Sequence, residues 1–253
     1  MTTEHSASGD LDRSLALLWE MDHRPTRGPK PALTVERIVT AAIAIADTDG
    51  LAGLSMRRVA SELGVGTMSL YRYVPGKGEL LDLMIDRINE APRGDAGELG
   101  WRGVLEQMAH ETWEVCLAHP WFLQIDQARP LLGPRALAGF EHVLRGLRDT
   151  SLTDQQKVMA MTSVYAFVTG VARDHVNALQ ATERTGMTSE EFWAAQVPVF
   201  VKAMNTGDYP AMAGLAEDTF GFSAEESLEF GLRSLLDGIA GFVDPPTNDR
   251  STA

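Results

Sequence analysis

Apolar residues recur along this chain at three- and four-residue spacing, and the pattern is broken by glycine and proline. Leu11 to Met21 predicts a short amphipathic helix. Three prolines and a glycine between His23 and Pro31 forbid a helix there and predict an extended basic arm. Thr34 is a suitable N-cap for a helix with Val35, Ile38, Val39, Ala42, Ile43 and Ala46 on one face, and Gly50 closes it. Ser55 caps a second helix with Met56, Val59, Ala60 and Leu63 inward. Gly64 suits the left-handed residue after a helix end. A third helix is predicted from Gly66 to Tyr73, stopped by Pro75-Gly76. A fourth starts near Lys77 with Leu80, Leu81, Met84, Ile85 and Ile88 as its apolar face. Ala91–Gly100 reads as a linker. Further helices are expected over Trp101–His119, Pro134–Thr150, Thr153–Gln180, Ser189–Met204 and Ser223–Val243, with a loop and one short helix in Asn205–Gly221. Alternating β-branched runs bounded by hairpin turns are missing from the sequence, so the expected class is all-α.

Ser55 to Lys77 (SMRRVASELGVGTMSLYRYVPGK) thus has the layout of a helix-turn-helix, whose second helix is built to enter the DNA major groove. The net charge of −13 argues against a polyanionic partner until its distribution is read. Eight bases against four acids leave +4 between Arg24 and Lys77, and −17 for the rest of the chain. A basic head on an acidic body suits nucleic acid on one face only. One cysteine, Cys116, excludes an internal disulfide and suits a reducing cytoplasm. The polar N-terminus is not a secretory signal, and no apolar run is long enough to span a membrane.

On the third helix, Thr67, Met68, Tyr71 and Arg72 fall on a common outer face, with Val65 and Leu70 turned inward. Arg72 suits a guanine or a phosphate, Thr67 donates or accepts, and Met68 suits a thymine methyl. The hydroxyls of Tyr71 and Tyr73 reach toward phosphates, and Arg57 points to the same surface. Ser55 caps a helix start that can hold a phosphate, and Lys77 opens the next helix beside free N–H groups.

The segment from Thr34 to Ile88 resembles the N-terminal domain of TetR-family transcriptional repressors. The resemblance rests on Leu63-Gly64-Val65, Leu70-Tyr71, Tyr73-Val74, Lys77 and Leu80-Leu81. It implies that Arg57, Thr67, Met68, Tyr71, Arg72, Tyr73 and Lys77 lie at or near DNA. Met56 departs from the family pattern, in which a small hydroxyl residue is common. Phe230-Gly231-Leu232 and Leu235-Leu236-Asp237-Gly238 resemble the last helix of a tetracycline-repressor-type regulatory domain. That implies a homodimer formed by Thr153–Gln180 and Ser223–Val243 as a four-helix bundle. Gly231, Gly238 and Gly241 would admit the partner helix, with Leu228, Leu232, Leu235, Ile239 and Phe242 supplying apolar area; the alternative for these residues is a core within one chain.

The expected organisation is an N-terminal helix and arm (1–31), a three-helix DNA-binding domain (32–76), a ligand-binding and dimerisation domain (77–245) and a disordered tail (246–253). The resulting reading is a ligand-responsive repressor that binds a palindromic double-stranded operator and releases it on binding a small apolar effector. His110, Trp113, Trp121, Arg129, Tyr165, Phe167 and Trp193 are the candidate effector contacts, and Arg129-Pro130 resembles a coupling pair of the tetracycline repressors. Met108, Thr112 and Ile125 stand where drug and metal ligands would be, so neither tetracycline, magnesium nor any other cofactor is expected. The alternatives are an all-helical enzyme, using Cys116 with His119 or a metal at Asp174-His175 with His110 or His119, and a helical adaptor that binds only proteins.

Overall fold

The computed structural model describes residues 4–5, 9–20, 33–89, 93–126, 129–216 and 218–243. The arm expected at His23–Pro31 and the tail after 245 lie outside them. The helices are α1 (Leu11–Glu20), α2 (Val35–Gly53), α3 (Met56–Glu62), α4 (Thr67–Tyr71), α5 (Lys77–Ile88), α6 (Ala96–Ala118), α7 (Pro134–Gly146), α8 (Asp154–Thr185), α9 (Ser189–Ala194), α10 (Val197–Met204), α11 (Pro210–Ala213) and α12 (Ala224–Val243). A 3-10 turn covers Pro120–Gln124. A two-residue parallel pairing joins β1 (Glu4–His5) to β2 (Ile125–Asp126), a small exception to the all-helical expectation.

The caps are local chemistry. Thr34 Oγ1 accepts from the Arg37 N–H, Ser55 Oγ from the Arg58 N–H, and Thr153 with Gln156 forms a capping box on α8. Such caps are worth about 1 kcal/mol each. Burial decides more. Leu80, Leu81, Leu83, Met84 and Ile88 of α5 are all buried, and each contributes about 1.5–3 kcal/mol.

α5 lies under the head against α2 and reaches the body at α7, while α6, α7, α8 and α12 form the body. The chain at Gly231 of α12 approaches α8 closely: a Cβ there would stand 2.1 Å from Phe167 Cζ. Gly231 therefore serves a contact within one chain, rather than admitting a partner. Leu228, Leu232 and Leu236 are likewise buried within the chain.

Several boundaries differ from expectation. α6 begins inside the expected linker, capped by Asp95, and kinks at Gly100. The expected helix Ser189–Met204 is two helices, because Pro198 lacks an N–H and its ring crowds the preceding turn. α4 is shorter than Gly66–Tyr73: Gly66 is extended as its N-cap, and Arg72 is its C-cap. α8 runs five residues beyond Gln180 and ends at Gly186.

Candidate functional site

Two features display α4. Gly64 between α3 and α4 has φ 66, which a residue with a Cβ adopts only with strain, so the chain turns sharply there. Leu70 and Val74 are then fully buried against the head core and pin α4 on its inner side. The outer side stays bare. Met68 is 76% exposed, Tyr71 and Arg72 are exposed, and Thr67 and Tyr73 are half-buried.

Arg57 and Arg58 are exposed on the neighbouring α3. An open groove of about 420 Å³ is lined there by Gly53, Ser55, Arg57, Arg58 and Ser61. Arg58 and Ser61 were absent from the sequence-based set. Their signal was helical spacing from the Ser55 cap, at i+3 and i+6. Arg58 also reaches Asp49 at 3.6 Å, an exposed pair of small energetic weight. Met56, the departure from the family pattern, is buried in the head and presents no donor to the surface.

Lys77 takes a structural contact that its sequence position does not reveal. Its Nζ donates to the Leu51 carbonyl at 3.3 Å, which ties the start of α5 to the end of α2.

Head and body meet at a polar hub. Asp47 Oδ1 in α2 accepts the Trp121 indole N–H at 2.6 Å and lies 2.7 Å from His119 Nδ1. Trp121 is 1% exposed, so its N–H has been withdrawn from water and requires that acceptor. This places Trp121 in the joint.

The seven candidate effector residues have different neighbours. His110 is exposed, with Nε2 3.1 Å from Glu229 Oε1 of α12 and Nδ1 2.8 Å from the Glu106 carbonyl. Burial opposes its protonation, but the Glu229 and Glu106 acceptors outweigh burial and raise its pKa above the usual histidine value. Trp113 is buried with its ring 5.7 Å from that of His175 in α8. Tyr165 is half-buried on α8, and Phe167 lies against Gly231. Arg129 is exposed beyond β2. Trp193 is 57% exposed and stacks on Phe200. Trp113 thus lies between α6 and α8, Phe167 between α8 and α12, and His110 between α6 and α12, where it lines an open groove with Arg102 and Glu229, whereas Trp121 meets Asp47 and Trp193 meets Phe200.

The nucleophile–base pair imagined for an enzyme does not assemble. Cys116 is buried, and burial pushes its thiol up to about 11 despite the opposing charge of Arg173. His119 is turned to Asp47. No helix among the described residues is long and apolar enough to cross a membrane.

Comparison with known proteins agrees with this geometry. Residues 38–84 match the model of bacterial regulatory proteins of the tetR family, and residues 92–243 match the tetracyclin repressor-like C-terminal domain. The chain is 53% identical to the HTH-type transcriptional repressor DrrR1 of Streptomyces coeruleorubidus, across 96% of this chain and 90% of that protein. It is 31% identical to an HTH-type transcriptional regulator of Saccharopolyspora erythraea, across 84% of this chain and 86% of that one. Among solved structures, ActR of Streptomyces coelicolor in complex with actinorhodin is similar, with TM-score 0.71 and 30% identity over 86% of this chain and 99% of that one. A displayed α4, a body matched from end to end and a relative named as a transcriptional repressor together show that the chain belongs to the TetR family of DNA-binding transcriptional regulators.

Proposed function

We propose that the protein acts as a homodimeric repressor whose two α4 helices enter successive major grooves of a palindromic operator. The observation that carries this reading is the bare outer face of α4, with Met68, Tyr71 and Arg72 exposed beside Arg57 and Arg58. On it, Arg57, Tyr73 and Lys77 hold phosphates with the Ser55 helix start. Thr67, Met68 and Arg72 approach base edges, and the Tyr71 hydroxyl reaches a phosphate.

The dimer reading draws on uncovered apolar surface. Val158 and Met159 of α8, and Phe230 and Phe242 of α12, are exposed on the helices expected to pair. Between them, α9 to α11 expose Phe192, Trp193, Val199 and Tyr209. A second copy of the chain supplies the cover that such an area needs.

The effector is a small, largely apolar molecule taken up where α6, α8 and α12 pack, beside Trp113 and Phe167; ActR with actinorhodin is the analogy. Its entry moves the end of α6, and the shift reaches α2 through Asp47 and α4 through α5. The effector must favour the non-binding arrangement by about 1–3 kcal/mol.

Selection from a random duplex pool, followed by anisotropy titration over a range of salt, tests the reading. A symmetric preferred sequence, steep salt dependence and one dimer per duplex are expected. Equal affinity for all sequences would refute it.

A further inference from the structure

The residues ahead of the head do more than extend the chain. α5 carries three acids, Glu79, Asp82 and Asp86, and all three are buried. Asp86 Oδ1 accepts the N–H groups of Arg135 and Ala136 at the start of α7. The other two face the N-terminal segment. Ser14 Oγ donates to Asp82 Oδ2 at 2.8 Å, with Ser14 1% and Asp82 3% exposed. Glu79 Oε1 accepts the Asp10 N–H at 3.0 Å. Leu18 of α1, 2% exposed, is buried in the same core. Further back along the chain, Glu4–His5 pairs with Ile125–Asp126, directly after the turn that holds Trp121.

We infer that this N-terminal segment is a strap that fixes the angle between DNA head and body, with β1 anchored on the body edge and α1 locked on α5 by the Ser14–Asp82 bond. The physical reason is the placement of the two attachments. One grips the helix that joins head to body, and the other grips the body next to the head–body hub. A rotation of α5 away from α1 would take the buried Ser14 hydroxyl from its carboxylate acceptor and uncover Leu18. The strap therefore favours one head orientation and makes departure from it a discrete step. In the proposed regulator that orientation is the one competent for DNA; the second measurement below rests on that reading, and the first does not.

The test uses the full chain carrying spin labels at Glu62→Cys in the head and Asp149→Cys in the body, both exposed, diluted with unlabelled protein. Cys116 is buried and stays unlabelled. The full chain is expected to give one narrow head–body distance. A variant starting at Met21, and Ser14→Ala, are expected to broaden it or add a second distance. Operator affinity should fall in step, about tenfold if one molecule in ten keeps the competent orientation. Should the shortened chain fail to fold by circular dichroism, Ser14→Ala and Leu18→Ala carry the test. A cap that merely stabilises would lower the melting temperature and leave the distance narrow. An unchanged distance in the variants that fold overturns the strap. A full chain that binds no duplex overturns the regulator reading instead, while the distances still judge the strap.

Discussion

The Asp47 carboxyl accepts the Trp121 indole N–H across 74 positions of sequence, and this bond joins the first helix of the head to the turn after α6. Asp47→Ala leaves that buried N–H without a partner, at a cost of about 1–3 kcal/mol. Asp47→Asn keeps an acceptor and should lose less. Urea denaturation of the three proteins measures the difference. Equal midpoints for Ala and wild type would show that the bond carries no stability.

Met68 is the most solvent-exposed large apolar side chain of the head. Against a thymine methyl it should lose about 0.8 kcal/mol, roughly fourfold in affinity, when the contacted thymidine is replaced by deoxyuridine. In Met68→Ala the same replacement should make no difference, since the partner is already gone. Anisotropy with the four combinations closes the cycle.

Arg57 and Arg72 are exposed, so neither supports the fold by burial. Arg57→Ala should reduce the slope of log affinity against log salt by about 1, the signature of a phosphate contact, and Arg72→Ala should cost about 1–3 kcal/mol and relax specificity at the base it meets. Reversing both to glutamate should abolish binding with an unchanged circular dichroism spectrum. Retained binding would move the interface off this face.

Phe230 is 75% exposed and Leu232, two positions on, is 3% exposed. Phe230→Asp should therefore give a folded monomer by light scattering. Leu232→Asp should unfold the chain, because it places a charge inside the body. A Phe230→Asp protein that remains dimeric would exclude this part of α12 from the interface.

The His110–Glu229 contact between α6 and α12 should weaken with alkali. The folded-state pKa of His110 is raised, so its contribution is complete below the unfolded value of about 6.5 and fades as pH rises through the folded value. With the pair half exposed, about 0.2–1 kcal/mol is at stake. Melting curves of wild type and His110→Ala should diverge at acidic pH and converge above neutrality. A constant gap would contradict the assignment.

What was legible in the sequence was local. Ser55, Thr34 and Thr153 cap by bonds to residues three positions on, and Gly64 turns the chain through its own φ. The outer face of α4 follows from spacing alone. The hub of Asp47 with Trp121 and His119, and the burial of Glu79 and Asp82 under α1, depend on segments about 70 positions apart. No periodicity announces them. Nothing in the spacing of the acids at 79, 82 and 86 announces that α1 and α7 cover them. The aromatic residues were visible as a set, but their neighbours were not, so Trp121 and Trp193 were grouped with Trp113 although each meets different partners.

The reading helix has only five residues, little more than one turn. A rod that short meets the edges of a few base pairs, and such a short word recurs by chance throughout any bacterial chromosome. In the proposed dimer the discriminating power comes from how far apart, and at what relative tilt, two such words are held, so a mutation that alters spacing without touching a base would redirect it to different genes.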